Sequence, residues 1–297
     1  MSVNLLWTLS PISSVAAKRS DWALRAAYTA LAVVVLLSLC APLLPLPSPV
    51  AADLGSIAAP PSASHWFGTD DLGRDVLSRV LYGGRPPIII GAASVVISLV
   101  IGLLLGVVAG YRAGLLDHVL GRIADIQMSI PGIVLALVFL AIYGTNPVNV
   151  TAVIAIESWP LYFRVVRAQS LSVKHAAFVE AAKLAGVRGW RVLFRHILPS
   201  TYSVLVVALT INFTGAVLSE SALSFLGVGI QPPSPDWGVM IAEGQAELST
   251  AWWVALAPGA FLIVLLLAFQ TIADTLSSRY SLKDVTLGVI PDAAGRR

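Results

Sequence analysis

Apolar residues along this chain gather into runs of membrane length, separated by short polar segments rich in Gly, Pro, Asp and Arg. A crossing helix needs about 20 predominantly apolar residues, because a hydrocarbon core of about 30 Å is covered at about 1.5 Å per residue. This predicts six transmembrane helices: about Leu24 to Leu44, Ile88 to Ala109, Ile123 to Tyr143, Val148 to Val166, a span following Pro199 and ending near Glu220, and Trp252 to Ile272. Pro131 is expected to kink the third, and Pro258 with Gly259 to break the sixth near its start. The first run exceeds a signal-peptide core of about 7–15 residues and lacks a small-residue cleavage site, so it reads as a retained helix.

The resulting organisation is a polar tail over 1–22, a first helix and its Pro-, Ala- and Ser-rich connection over 23–87, a membrane core over 88–276 interrupted by a loop at about 169–199, and a second tail over 277–297. Within the connection, Gly68, Asp70, Asp71 and Gly73 supply turn chemistry. Asp75 to Tyr82 predicts a short amphipathic helix with Val76, Leu77, Val80 and Leu81 inward, and the alternating Asp and Arg predict local pairing. The Gly- and Pro-rich stretch Glu220 to Gly238 predicts a re-entrant or extracytoplasmic turn, tolerated where protein or an aqueous cavity surrounds it.

Composition agrees with an all-α integral membrane protein: 57% of residues are hydrophobic and 12% charged, where soluble domains carry about 25% charge. A net charge of +3 brings nucleic acid to mind, but the cations flank the apolar spans and so report orientation. Most of the 19 Lys and Arg lie in the two tails, at Arg112 to Arg122 and at Arg164 to Arg195, which places these segments on the cytoplasmic side. The single Cys40 excludes an intrachain disulfide, and the scattered His65, His118, His175 and His196 predict no metal site. No G-x-x-x-x-G-K-[ST] phosphate loop exists, so this chain does not hydrolyse ATP by itself.

The segment Glu180 to Pro199 is the most basic helix-prone part of the chain, with Lys183, Arg188, Arg191 and Arg195. Glu180 stands where a helix dipole favours an acid, Ala181 and Ala182 have high helix propensity, and Gly186 interrupts them. A second short helix follows, with Trp190, Leu193, Phe194 and Ile197 on one apolar stripe beside a basic face. Pro199 suits the first turn of the next helix. The segment reads either as a docking element for a soluble partner or as an amphipathic helix resting on anionic lipid.

E-A-A, then a glycine four residues on, then L-P thirteen residues later, resembles the cytoplasmic loop of permease subunits of ATP-binding-cassette (ABC) importers. F-G-T-D-x-x-G-R-D-x-x-S-R from Phe67, and ESALSFLGVGIQPPSPDWG from Glu220, resemble the dipeptide, oligopeptide and nickel branch, in the C-type permease of each pair. The resemblance runs from about His65 to Asp274; the ending ADTLSSRYSLK departs from the D-P-R-like finish of that branch. It implies a type I ABC importer permease fold and a non-catalytic transport subunit in a bacterial or archaeal plasma membrane. The partners it implies are a second homologous permease, two ATP-binding subunits that hold ATP and Mg, and an extracytoplasmic substrate-binding protein. On the resemblance, Glu180, Ala181, Ala182, Gly186, Trp190, Arg191, Arg195 and Pro199 couple the ATPases to gating.

Three polar residues in the spans are candidates for the translocation path. Glu157 is an acid within a span, which is costly unless it faces a cavity, a partner helix or a cation such as a peptide's amino terminus; pairing with an Arg or hydration near a surface is the alternative. Asn212 suits either the path or an interhelical hydrogen bond. Glu220, at the expected end of the fifth span, either lines the path or caps and pairs locally. Di- or oligopeptides are the expected cargo; a nickel complex or another small solute is the alternative, and an ATPase-independent channel or ion-coupled transporter using Glu157 is a third reading.

Overall fold

The structure, a computed structural model, describes residues 12–174, 176–193, 195 and 198–288. Among them the regular structure is helical: α1 (Ile12–Leu39), α2 (Val76–Gly83), α3 (Arg85–Arg112), α4 (Leu115–Met128), α5 (Gly132–Tyr143), α6 (Pro147–Val173), α7 (Ala177–Leu184), α8 (Gly189–Val192), α9 (Leu198–Ser200), α10 (Tyr202–Phe225), α11 (Trp237–Gln245) and α12 (Trp253–Gly288). Among the described residues four helical stretches are long and apolar enough to cross a membrane, and α4 with α5, counted as one broken span, makes a fifth. α6 is long enough at 27 residues. Its Asn149, Glu157, Arg164 and Arg167 make it more polar than the others, and it is accordingly sheathed by α3, α4, α5 and α10.

Several boundaries differ from the sequence expectation. Helix α1 starts at Ile12, inside the stretch 1–22 expected as an irregular tail. Pro131 does more than kink the third span, since α4 and α5 meet at 89°. α12 runs unbroken through Pro258, as spanning helices can when neighbours cover the freed carbonyl, and continues beyond 277 into the expected tail. α10 continues to Phe225, so Glu220 lies inside a helix and not at its end.

The most extensive helix contact joins α3 to α6. Along α3 the buried residues Ser94, Ser98, Gly102, Gly106 and Gly110 recur every fourth position. This row is one ridge of the helix, and its small side chains let the α6 backbone approach closely. A methyl group at Gly102 would stand 2.7 Å from the Trp159 carbonyl oxygen, and one at Gly110 would stand 2.6 Å from Ser170 Cβ. Ser94 Oγ donates to the Thr151 carbonyl at 3.0 Å, so the same row also supplies a hydrogen bond.

At the end where α3 begins, the 65–85 segment folds into a buried ionic knot. Asp75 caps α2 by accepting from Ser78 N–H at 2.7 Å. Asp70 accepts from the backbone of Leu72 and Arg74 and pairs with Arg74 at 2.7 Å and with Arg79. Glu243 of α11 reaches Arg79 at 2.8 Å and Arg74 at 3.4 Å. Trp253 Nε1 donates to the Thr69 carbonyl at 3.0 Å, tying the knot to α12. The expected pairing of Asp and Arg is therefore present, and α2 buries Val76, Val80 and Leu81 as the periodicity required, while Leu77, also expected inward, is half-buried.

Arg79 and Asp70 are each 1% exposed, so removing one charge unbalances a buried network that Arg74 and Glu243 only partly compensate; breaking a buried pair costs up to about 3–5 kcal/mol. Arg79→Met and Glu243→Gln are expected to lower the Tm of the purified chain, read by thermal shift. Glu247 behaves oppositely: burial, then the charges of Asp71, Asp70 and Glu243, push its carboxyl above the ordinary range. A folded-state value above the unfolded one means that the native state binds more protons, so this penalty is absent at low pH and grows as pH rises through the raised value. Glu247→Gln is therefore expected to hold or raise Tm at neutral pH, and a fall like that of Glu243→Gln would refute the assignment.

Candidate functional site

The loop after α6 forms helix, turn and short helix, as the sequence predicts. Glu180 sits in the first turn of α7. The helix closes where Val187 N–H donates to the Ala182 carbonyl at 3.1 Å, across Gly186 in the left-handed region at φ +76°. That six-to-one bond with a left-handed residue inside it is the usual glycine-terminated helix end. α8 carries the helical backbone of Trp190 and Arg191. Phe194 and Ile197, expected on the same apolar stripe, lie outside the described residues.

One side of this loop is glued to the bundle. Val179, Val192 and Leu193 are buried together with Val107 of α3 and Val166 of α6, and Ala182 packs against them. The other side is open: Glu180, Ala181, Gly186, Arg188, Arg191, Arg195 and Pro199 are exposed. Leu184 is 90% exposed and Phe178 51%, apolar groups that sequence periodicity alone did not single out.

Farther along α6 lies the region of Glu157. Pro160 has no N–H, which leaves the Ile156 carbonyl without its helical donor. Gln127 near the end of α4 fills the gap: its Nε2 donates to Ile156 O, and its Oε1 accepts from Trp159 Nε1 at 2.8 Å. Arg164 pairs with Asp125 at 2.6 Å and Arg167 with Asp117, so α4 is fastened to α6 at three places. α5 then departs from this assembly at Pro131. A Cβ at Gly132 would overlap the Glu157 carboxyl, so glycine is what lets the acid lie against the start of α5. Glu157 lines a cavity of about 120 Å³ with Ile133 and Ala136 of α5 and Leu218, Ser219, Ala222 and Leu223 of α10.

The other two candidates are placed differently. Asn212 is half-buried and faces the Tyr162 hydroxyl of α6. Glu220 is fully buried, accepts from Ser224 Oγ at 3.1 Å, and adjoins the buried Asp236 carboxyl. Asp236 caps α11 through the N–H groups of Gly238 and Val239, and Ser224 Oγ also accepts from Ile230 N–H at 3.1 Å. Trp237 Nε1 donates to the Val80 carbonyl at 2.8 Å, so the 220–238 segment is locked onto the 65–85 knot. The structure thus brings Glu157 to a cavity and Glu220 to a packed polar cluster, and it does not bring the two together with Asn212. Gln127, Gly132 and Ser219 were not singled out from sequence; the spacing of Pro160 from Ile156 was the one available signal for Gln127.

Residues 102–282 match the family described as binding-protein-dependent transport system inner membrane component. The chain is 38% identical to the dipeptide transport system permease protein DppC of Alkalihalophilus pseudofirmus over 82% of its own length and 80% of that protein's. It is 44% identical to the glutathione transport system permease protein GsiD of Shigella flexneri over 73% and 71%, and 37% identical to GsiD of Pectobacterium atrosepticum over 73% and 72%. This all-helical, multi-pass membrane protein belongs to the family of permease subunits of binding-protein-dependent ABC importers. It is a transport subunit and not an enzyme, and it works with other components of an ABC transporter.

Proposed function

We propose that the chain forms, with a second homologous permease, the translocation path of an importer for di- or oligopeptides. It crosses the plasma membrane of a bacterium or archaeon six times, with both termini and the α7–α9 loop in the cytoplasm. An extracytoplasmic binding protein delivers the peptide, and two ATP-binding subunits supply ATP and Mg chemistry. The peptide assignment rests on relatives named for dipeptide and glutathione transport.

The observation that carries this reading is the two-sided loop. Its buried side grips α3 and α6, and α6 holds Glu157 at a cavity, so force applied to the exposed side reaches the candidate path through one helix. Glu180, Ala181, Ala182, Gly186, Trp190, Arg191, Arg195 and Pro199 are the coupling residues on this view, with Leu184 and Phe178 as apolar anchors. Glu157 faces the path, Asn212 lies between α10 and α6 beside Tyr162, and Glu220 supports the 220–238 turn.

The test is co-purification with co-expressed ATP-binding subunits, alongside uptake of labelled dialanine. Glu180→Lys and Leu184→Asp are expected to reduce recovered ATPase at least tenfold and to lower uptake in proportion, with the permease itself still produced. Retention of ATPase and uptake in both variants would overturn the coupling assignment. Solute movement by the purified chain alone in liposomes would overturn the importer reading.

A further inference from the structure

Glu157 has no ion pair or hydrogen bond among the described residues, although a carboxylate within a span normally has one. Its carboxyl lies against Gly132, the first residue of the 12-residue α5. The acid therefore has no partner among the described residues, and it stands beside a space open enough to receive a cation.

The space has a definite capacity. At about 120 Å³ it has room for several waters. That admits an ammonium group and the carbon bearing it. The wall is apolar apart from Glu157 and the half-buried Ser219, whose hydroxyl offers a second acceptor. Of its lining residues Ile133 and Leu218 are 44% and 52% exposed, an apolar surface for the second permease to cover.

We propose that Glu157 and Ser219 form a transient site for the primary ammonium group at the amino terminus of a passing peptide. This deepens the peptide-importer reading and rests on it. The site holds one terminus only, and so it gives the peptide a preferred direction in the path without gripping its side chains. Contacts confined to one terminus leave the rest of the peptide ungripped, which a shared path for many sequences requires.

The test uses the assembled complex in nanodiscs without binding protein, and equilibrium dialysis with radiolabelled dialanine or N-acetyl-dialanine. Wild type is expected to bind dialanine about 10- to 100-fold more tightly than its acetylated form, the scale of one hydrogen bond to a charged group. Glu157→Gln should erase that ratio and Glu157→Asp should retain part of it. Gly132→Ala, which keeps the carboxyl but displaces it, should also reduce the ratio. An unchanged ratio in Glu157→Gln overturns the site. So does loss of the second permease from the Glu157→Gln complex, which would make the acid a subunit contact. A wild-type complex that imports dialanine with its binding protein, yet binds both probes equally, sinks the site and leaves the importer reading standing. Failure to import dialanine at all sinks both.

Discussion

Gly106→Leu is expected to destabilise the helix bundle of this protein strongly. The first added carbon would lie 2.8 Å from the Phe163 carbonyl oxygen, 2.9 Å from Val166 Cβ and 3.2 Å from the Arg167 nitrogen. Two of those three atoms are α6 backbone, which cannot swing aside as a side-chain tip can. Gly102 and Gly110 hold the same interface one turn to either side, so α6 has no room to shift along α3. Overpacking of a tight core costs about 1–3 kcal/mol and more where backbone is opposed. At about 2–4 °C per kcal/mol, a loss of about 3 kcal/mol lowers Tm by about 6–12 °C. Size-exclusion chromatography and thermal shift in detergent should show aggregation or that drop. Gly259→Leu, with nothing within 4 Å of the added carbon, is the control expected to behave as wild type. A Gly106→Leu protein as stable as the control would remove the α3–α6 ridge from the account.

Gly186→Pro is expected to separate transport from folding. Gly186 sits at φ +76° with open space around it. Proline fixes φ near −65°, so the turn that closes α7 and launches α8 cannot form as it stands. The damage is confined to the loop, because no packed neighbour is displaced. The chain should be produced and extracted normally, and its Tm should change by about 3 °C or less. Peptide uptake at saturating binding protein should fall by about 100-fold, and ATPase in the complex should no longer respond to the binding protein. Gly186→Asn, which tolerates the left-handed region better than other side chains, should retain a substantial part of the activity. If Gly186→Pro transports normally, motion reaches the bundle through some element other than this loop.

How much of this was readable from sequence depended on the distance over which each feature is determined. Local chemistry was legible: the apolar runs, the alternation that buries Val76 and Val80, and the Glu180, Ala181, Ala182 and Gly186 sequence that makes a helix and stops it. Pro258 and Pro131 show the limit. Each removes one N–H from a helix, yet α12 continues straight through while α4 and α5 turn by 89°. Neighbouring helices decide that difference, and a single residue does not encode it. Glu220 looked terminal because apolar periodicity fades near it, but its polar face is satisfied by Ser224 from within the same helix and by contacts that follow the 226–236 turn. The row from Ser94 to Gly110 was present in the sequence at intervals of four, and its meaning required knowing that α6 lies on it. Gln127 meets Ile156 across 29 positions, a tie that local pattern does not reveal.

The ionic knot also has a consequence for how the molecule is made. Arg74 and Glu243 stand 169 positions apart. At about 5–20 residues per second, Arg74 and Arg79 emerge from the ribosome roughly 10–30 s before the acid that completes their charge balance exists. During that interval Asp70 and Asp71 hold the two cations alone, and the first half of the protein waits in an incomplete state. A membrane protease or chaperone surveying nascent chains would meet α2 in that state on every molecule synthesised, until α11 arrives and closes it.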